Sequence, residues 1–580
     1  MFLPINRSEM DNLGWDAPDF VFVTGDAYVD HPSFGMSIIT RVLEKHGFKI
    51  AILAQPDWHS EHPFTEFGKP RLGFLVSAGN IDSMVAHYTV AKKKRNYDYY
   101  SPGGKIGKRP DRATIVYSNR IRQAYKDVPI ILGGLEASLR RFAHYDYWDD
   151  KVRNSVLIDS GADILIYGMG EKSVVEIAKL LDRGVPVKKI KNIRGTVVTS
   201  DKDYTPKGEC VYLGEVEDIK RDKKLYAKCF ATQYKNCDSI SGKTLIEGYG
   251  KNNLIQNPPS HILERKELDE VYALDYMRDF HPIYKKDGGV PAISEVKFSI
   301  THNRGCFGAC SFCAIAFHQG RAVRSRSIES CVEEAKKLTT LPDFKGYIHD
   351  VGGPTANFRA PACKQQLKNG VCSNKRCLSP VPCKNLEIDH SEYLELLKRI
   401  ESLDKIKKVF IRSGIRYDYL LYDNDDSFFK KLVSDHVSGQ LRVAPEHNSN
   451  SVLNLMGKPK IEIYEKFCNR YAELSKQCGK DQYVVPYLMS SHPGSTMNDA
   501  IDLAKYIEKN HVASEQVQDF YPTPGTASTC MFYTEINPFT GEKVYIPKNN
   551  KEKQAQRALL QPKINKSSHY LSKTKAKVRK

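Results

Sequence analysis

The apolar positions of the first 195 residues follow two alternating periods. FVFVTGDAYVD (20–30), KIAILAQ (49–55), IILGG (130–134) and DILIYGMG (163–170) are short apolar runs that lead into glycines or polar loops, and they read as buried strands. SIITRVLEKHG (37–47), ASLRRFAHY (137–145) and EKSVVEIAKLLDRG (171–184) place apolar residues at helical spacing, and Gly47 ends the first of them. Strands alternating with helices predict an α/β, doubly wound parallel sheet over 1–195. Residues 196–285 are less periodic and read as a connector with one amphipathic helix in ILERKELDEVYALDYMRDF (262–280). From 286 to 535 the alternation returns. KFSIT, GYIHDVGGPT, KVFIRSGIRYD, QLRVAPEH, YVVPYLMSSHPG and SEQVQDFYPTPG read as strands with helices between them. This predicts a partial parallel (β/α)6 barrel with its site at the carboxyl ends of the strands.

Composition adds compartment and charge. Of the 580 residues, 41% are hydrophobic and 27% charged, and no apolar run approaches the roughly 20 residues of a membrane span. The start, MFLPINRSEMDNLGW, is not a secretory signal, so the 14 cysteines are expected to be reduced thiols and metal ligands in the cytoplasm. The net charge is +18, and the last 40 residues hold 12 Lys or Arg against Glu542 and Glu552. Residues 536–580 are therefore expected to form a basic, partly disordered tail, with RNA or another polyanion as its candidate partner. SPGGKIGKRPDRA (101–113) combines glycines and cations in a manner that suits an anion, and Lys92–Arg95 reads as the basic end of a helix.

The candidate chemistry centres on Cys306, Cys310 and Cys313, a C-x3-C-x2-C triplet that follows a strand in which Val296, Phe298 and Ile300 alternate with polar residues. Three thiolates can hold three irons of a 4Fe–4S cubane and leave the fourth open for a ligand, whereas an electron-transfer cluster normally takes four cysteines. A second group, Cys363, Cys372, Cys377 and Cys383, falls in a Cys-rich insertion at 360–385 and is a candidate for a second metal ion or cluster. Cys331 has apolar helical neighbours and reads as core. The competing function is a noncatalytic Fe–S or zinc module on nucleic acid.

The triplet's spacing resembles that of the radical S-adenosylmethionine (SAM) enzymes. The N-terminal pattern, Gly133-Gly134 with Ala137 and Gly168-x-Gly170-Glu171, resembles the cobalamin-binding type of Rossmann domain. Cobalamin-ligating members carry D-x-H-x-x-G. Here His31 directly follows Asp30, so cobalamin is not expected. DHPSFG, SPGGKIGKRPDRA, GGLEASLRRFAHYDYW, VGGPTANF and PKNNKEKQAQRALLQ extend the likeness over nearly the whole chain, which is similar to the YgiQ-like family of radical SAM proteins. The resemblance implies a 4Fe–4S cluster on Cys306, Cys310 and Cys313, SAM as cosubstrate, and an external flavodoxin- or ferredoxin-like electron donor. It also implies cofactor contacts from Phe312 near the adenine, Gly352 and Gly353 near the methionine amino group, and Ser413, Arg416 and Glu446 at later strand ends. It implies a chemistry and not a substrate. VAPEHNSNSVLNLMGKP resembles a segment of the tRNA methylthiotransferases, but the N-terminal domain lacks the three cysteines of that class's second cluster.

Overall fold

The computed structural model describes residues 1–510 and 516–561. Its N-terminal part is built on one nine-stranded sheet. The elements that make it are β1 (Phe20–Thr24), α1 (Gly35–Lys45), β2 (Ile50–Ala54), β3 (Gly73–Ser77), β4 (Ile130–Leu132), α2 (Gly134–Leu139), β5 (Ile164–Ile166), α3 (Glu171–Asp182), β6 (Thr196–Asp201), β7 (Cys210–Glu215), β8 (Thr244–Tyr249) and β9 (Asn252–Gln256). The strand order is β7-β8-β9-β6-β5-β4-β3-β1-β2. All five residues of β1 are buried. Phe20 and Phe22 face one core with Ile52 and Ile131, while Val21 and Val23 face another with Leu132 and Leu165. Cores on both faces explain why this strand is a continuous apolar run rather than an alternating one.

β2-β1-β3-β4-β5 pair in parallel, the doubly wound order that opens a crevice at the carboxyl ends of β1 and β3. The sequence reading missed β3, GFLVS. It also ended the sheet too early. β6 joins β5 antiparallel, and β7, β8 and β9 continue the same sheet, with the helices Val216–Arg221 and Lys223–Lys235 between β7 and β8, so residues 196–256 extend the N-terminal sheet and are not a connector. β7 and β9 carry exposed and half-exposed positions, with polar residues that mask their period. The amphipathic segment beyond them is helical only over Arg265–Tyr272, started by a capping box of Glu264 and Glu267.

Two basic segments differ from expectation. Arg109 of SPGGKIGKRPDRA is buried and paired with Asp26 (2.8 Å) and Asp98 (3.3 Å), so it ties the loop after β1 to the core instead of presenting a cation. Lys92–Arg95 lies beyond a helix that ends at His87, and Lys92 itself turns the chain at φ 57°.

The second half repeats β/α units. They are β10 (Ser299–Thr301), α4 (Ile328–Thr339), β11 (Tyr347–Ile348), β12 (Asp350–Gly352), α5 (Ser391–Glu401), β13 (Lys408–Val409), β14 (Gln440–Glu446), α6 (Ile461–Gln477), β15 (Tyr483–Ser490), α7 (Met497–Lys509) and β16 (Gln516–Asp519). β11 and β12 are two halves of one strand, broken at His349. The first half pairs in parallel with β13 and the second with β10. β14, β15 and β16 form a parallel sheet of three. Cys331, Ala335, Leu396, Leu397 and Phe467 on α4, α5 and α6 are fully buried against the strands, and the core position of Cys331 is as the pattern required.

The C-terminal segment is not a tail from residue 536. After α8 (Ala527–Thr534), α9 (Asn550–Leu560) packs against the last strands. Gln556 accepts from Ser491 N–H (3.1 Å) and Ser495 Oγ (3.2 Å), and Leu560 is buried with Leu488 and Val517. The most basic stretch, SKTKAKVRK, lies outside the described residues.

Candidate functional site

The loop from Gly305 to Cys313 follows β10 and is pinned at several points. Cys306 N–H donates to the Gly320 carbonyl (3.1 Å), and Ser311 N–H donates to that of Met456 (2.8 Å). Cys306 Sγ lies 3.2 Å from Thr355 Oγ1, and Arg416 Nη1 donates toward Cys310 Sγ at 3.6 Å. A Cβ on Gly308 would stand 2.7 Å from Arg416 Nη1 and 3.3 Å from Cys306 Sγ, so glycine keeps the thiol cradle open. Burial raises the Cys306 thiol, and burial with the nearby Cys310 and Cys306 pushes Cys313 up to about 12. Burial therefore works against the thiolate form of Cys306 and Cys313, which a thiophilic metal would favour. Among the described residues, no three His, Cys, Asp or Glu side chains are gathered closely enough for a single ion.

The strand-end residues expected from the sequence fall into two connected groups around this loop. In the first, Gly352 and Gly353 end β12, and a Cβ on Gly353 would collide with Asn303 Oδ1, a buried oxygen with no hydrogen-bond partner among the described residues. Asp350 accepts from Arg412 N–H (2.8 Å), Ser413 N–H (3.1 Å) and Ser413 Oγ, which fixes Ser413 beside Gly352. In the second, buried Arg416 is clamped by Asp418 through Nε (2.8 Å) and Nη2 (2.6 Å), and Asn357 Oδ1 accepts its backbone N–H (2.8 Å). Glu446 holds a left-handed backbone at φ 72° and lies 3.5 Å from Lys458 Nζ. That ammonium also stands 5.9 Å above the Phe312 ring. Burial raises Glu446 despite Lys458 and Arg416 nearby. The sequence reading passed over Asn303, Asp350, Thr355, Asp418 and Lys458. Only the adjacency of Asp350 to Gly352, Asp418 to Arg416, and Lys458 to the APEH segment hinted at them.

A cavity of about 670 Å³ lies between these strand ends and the crevice of the N-terminal sheet; the strands of the second half form separate short parallel sheets, and no closed six-stranded barrel is seen among the described residues. Asn303, Asp350, Gly353 and Ser413 line one side, and Asn80, Gly134 and Met169 the other. It extends as an apolar slot between the sheet, at Phe22, Leu75 and Ile131, and helices α1 and α3, at Ile39 and Val174. Arg304 pairs with Glu171 across the seam. Ala314 and Ile315, immediately after Cys313, also line the cavity. His31 is fully buried elsewhere. Its Nδ1 accepts from Ser33 N–H (3.1 Å) and its Nε2 faces Arg278 Nη1 (3.4 Å).

An α/β chain with a three-cysteine loop at the carboxyl end of a parallel strand, beside a doubly wound sheet, has the features of a radical SAM enzyme. Residues 300–507 match the Radical SAM superfamily, residues 2–299 the Radical SAM N-terminal family, and residues 515–571 a domain of unknown function, DUF3362. The chain belongs to the UPF0313 proteins of this superfamily. It is 58% identical to UPF0313 proteins of Clostridium botulinum (strain 657 / Type Ba4) and Clostridium perfringens (strain SM101 / Type A), over 97% of this chain and 88% and 85% of theirs.

Among solved structures it is similar to the radical SAM methyltransferase TsrM from Kitasatospora setae with tryptophan and a SAM analogue (TM-score 0.49, 15% identity, 88% of this chain and 76% of that one). It is also similar to the cobalamin-dependent radical SAM enzyme OxsB with aqua-cobalamin (TM-score 0.47, 9% identity, 88% and 55%). A further TsrM structure holds cobalamin and a 4Fe–4S cluster. The expectation against cobalamin finds no support in these comparisons. Superfamily membership supports 4Fe–4S and SAM binding and an enzymatic function, and it sets aside the noncatalytic module. Among the described residues no helix is long and apolar enough to cross a membrane.

Proposed function

We propose that Cys306, Cys310 and Cys313 hold a 4Fe–4S cluster whose fourth iron binds SAM, and that the substrate meets this centre in the cavity between barrel and sheet. The thiol cradle of the cysteine loop, kept open at Gly308 and faced by Arg416, carries the reading. Held by these three cysteines, such a cluster would supply one-electron reductive chemistry to a bound SAM.

The chain's own residues hold, orient and shield. Arg416 puts a fixed cation beside the Cys310 sulfur, and Asp418 keeps it from swinging away. Gly352 and Gly353 let backbone approach the methionine end of SAM, while Asp350 and Ser413 offer oxygens beside it. Phe312 and Glu446, joined through Lys458, form the far side of the cofactor's place. The apolar slot excludes water from a reactive intermediate. It is also open to a second large cofactor, and a difference spectrum on adding hydroxocobalamin tests cobalamin there.

A flavodoxin- or ferredoxin-like donor in a reducing cytoplasm supplies the electron in this reading. RNA or another polyanion is the partner of the basic C-terminal residues in this reading, and among the described residues Lys92, Lys93, Lys553 and Arg557 line a second cavity of about 810 Å³. A steep loss of RNA affinity with salt tests that partner.

The decisive experiment is anaerobic reconstitution with iron and sulfide, followed by SAM and dithionite. Release of 5′-deoxyadenosine by the wild type and its loss in Cys310→Ala support the reading. A protein that takes up no iron, or a cluster spectrum unmoved by SAM, refutes it.

A further inference from the structure

We propose that Cys363, Cys372, Cys377 and Cys383 hold a second Fe–S cluster, placed to pass electrons to the first. The relay rests on the reading of Cys306, Cys310 and Cys313 as ligands; the site itself does not.

The insertion that carries these cysteines follows β12 and has one short helix, Lys364–Asn369. Its residues supply few core positions, chiefly Ala362, Val371 and Leu378. A segment so poor in apolar surface needs another fastening, and a metal centre is one such fastening. All four cysteines are free and partly buried.

The fold ties them to one spot. Gln366 Oε1 accepts from Ala362 N–H (3.1 Å), next to Cys363, while Gln366 Nε2 points at Cys377 Sγ (3.7 Å). Cys383 N–H donates to the Cys377 carbonyl (2.8 Å). Arg321 Nη1 donates to the Cys372 carbonyl (3.1 Å).

The charges around the spot call for an anion. Arg321 is 5% exposed, and its Nε and Nη2 have no hydrogen-bond acceptor among the described residues. Its electrostatic neighbours are the thiols of Cys237 and Cys377. Lys375 reaches into the same group from the solvent side, beside Cys383 and Cys372. A buried guanidinium with two of its three nitrogens unmatched is costly. Four thiolates around an Fe–S core carry net negative charge and would satisfy it. Cys377 lies within electrostatic reach of Cys363, Cys372 and Cys383, so the four thiols share one neighbourhood.

The site is joined to the first cluster loop. Arg376, adjacent to Cys377, donates to Ser311 Oγ (2.8 Å) between Cys310 and Cys313. Cys306 and Cys377 pack against the same apolar group, in which Phe307 and Phe358 stack at 3.7 Å. A cluster with four cysteines has no open iron, which suits electron transfer and not catalysis. One electron leaves a reduced flavodoxin-like donor, enters this cluster, and moves on to the first. The donor ends one electron oxidised, and no bond is made or broken.

The test uses the full chain reconstituted anaerobically with Fe2+ and sulfide. A variant with Cys306, Cys310 and Cys313 all changed to Ala is expected to keep about four irons, near half the wild-type content, and an electron paramagnetic resonance signal on reduction. Cys372→Ser, with unchanged circular dichroism, is expected to lose the other half. Flavodoxin-driven SAM cleavage should fall more in Cys372→Ser than dithionite-driven cleavage. An iron-free triplet variant, or zinc in place of iron at the insertion, overturns the site, and equal falls with both reductants overturn the relay. Iron that survives in the triplet variant at the full wild-type level overturns the first-cluster reading and leaves the insertion site standing.

Discussion

Replacing Arg416 by Met separates what the guanidinium does for the fold from what it does for the thiols. Arg416 and Asp418 are both buried and joined by two hydrogen bonds of 2.8 and 2.6 Å. Removing the cation alone strands the Asp418 carboxylate, which has 0% exposure, at a cost of about 3–5 kcal/mol. A melting-temperature fall of roughly 10 °C is the scale to expect for a domain of this kind. Replacing both residues, R416M/D418L, removes the stranded charge, so most of that loss should return. Function should not return with it, because Cys310 still lacks the donor that faces its sulfur at 3.6 Å. A charge-assisted hydrogen bond of about 1.5–3 kcal/mol is lost there in both variants. The assays are thermal melting of the metal-free chain and 5′-deoxyadenosine release by the reconstituted one. Melting restored without activity supports the two roles. A double variant as unstable as the single, or one that recovers both stability and cleavage, refutes the reasoning.

Other expectations follow from single contacts. Gly353→Ala forces a methyl group onto Asn303 Oδ1 and should weaken SAM binding, measured by isothermal titration under argon, while iron content stays at the wild-type level. Burial pushes Glu247 up to about 7, above its ordinary 4.5. Its folded form thus holds a proton that the unfolded chain has already lost, so its contribution is complete below pH 4.5 and fades as pH rises through 7, by on the order of 3 kcal/mol. Glu247→Gln should therefore melt like wild type at pH 4.5 and higher than wild type at pH 8, and a pH-independent difference would contradict this. Truncation after Thr534 removes α9 and its Gln556 and Leu560 contacts, and limited proteolysis should then cut the exposed β15–β16 edge.

The sequence disclosed the elements whose apolar period is undiluted. β1, β2 and β5 are buried on both faces, and α3 and α4 carry one apolar stripe, so each leaves a clean pattern. β7 and β9 have exposed and half-exposed positions mixed among buried ones, and their pairing with distant strands is invisible to local period. The break at His349 is likewise a tertiary event, since each half of the strand follows a different neighbour. At the candidate site, residues with a distinctive neighbour pattern, such as the cysteines and Gly352-Gly353, were readable. Asn303, Thr355 and Asp418 act through partners about 50 residues away or through a clamp on a neighbour, and an isolated Asn, Thr or Asp carries no period or spacing to announce that. Arg109 shows the converse, because a cation in a glycine-rich stretch proved to be a buried strut.

The cavity at the seam draws its walls from both halves of the chain, with Asn80 and Met169 on one side and Asp350 and Ser413 on the other. The apolar slot belongs to the N-terminal half, but the mouth at the seam needs both. A barrel grafted onto a foreign amino-terminal partner would inherit the cysteine loop but face bulk solvent, where a carbon radical is soon quenched. Selectivity for what is to be altered would then be written chiefly in the loops that leave the sheet, and variation there could redirect the enzyme while its iron chemistry stayed untouched.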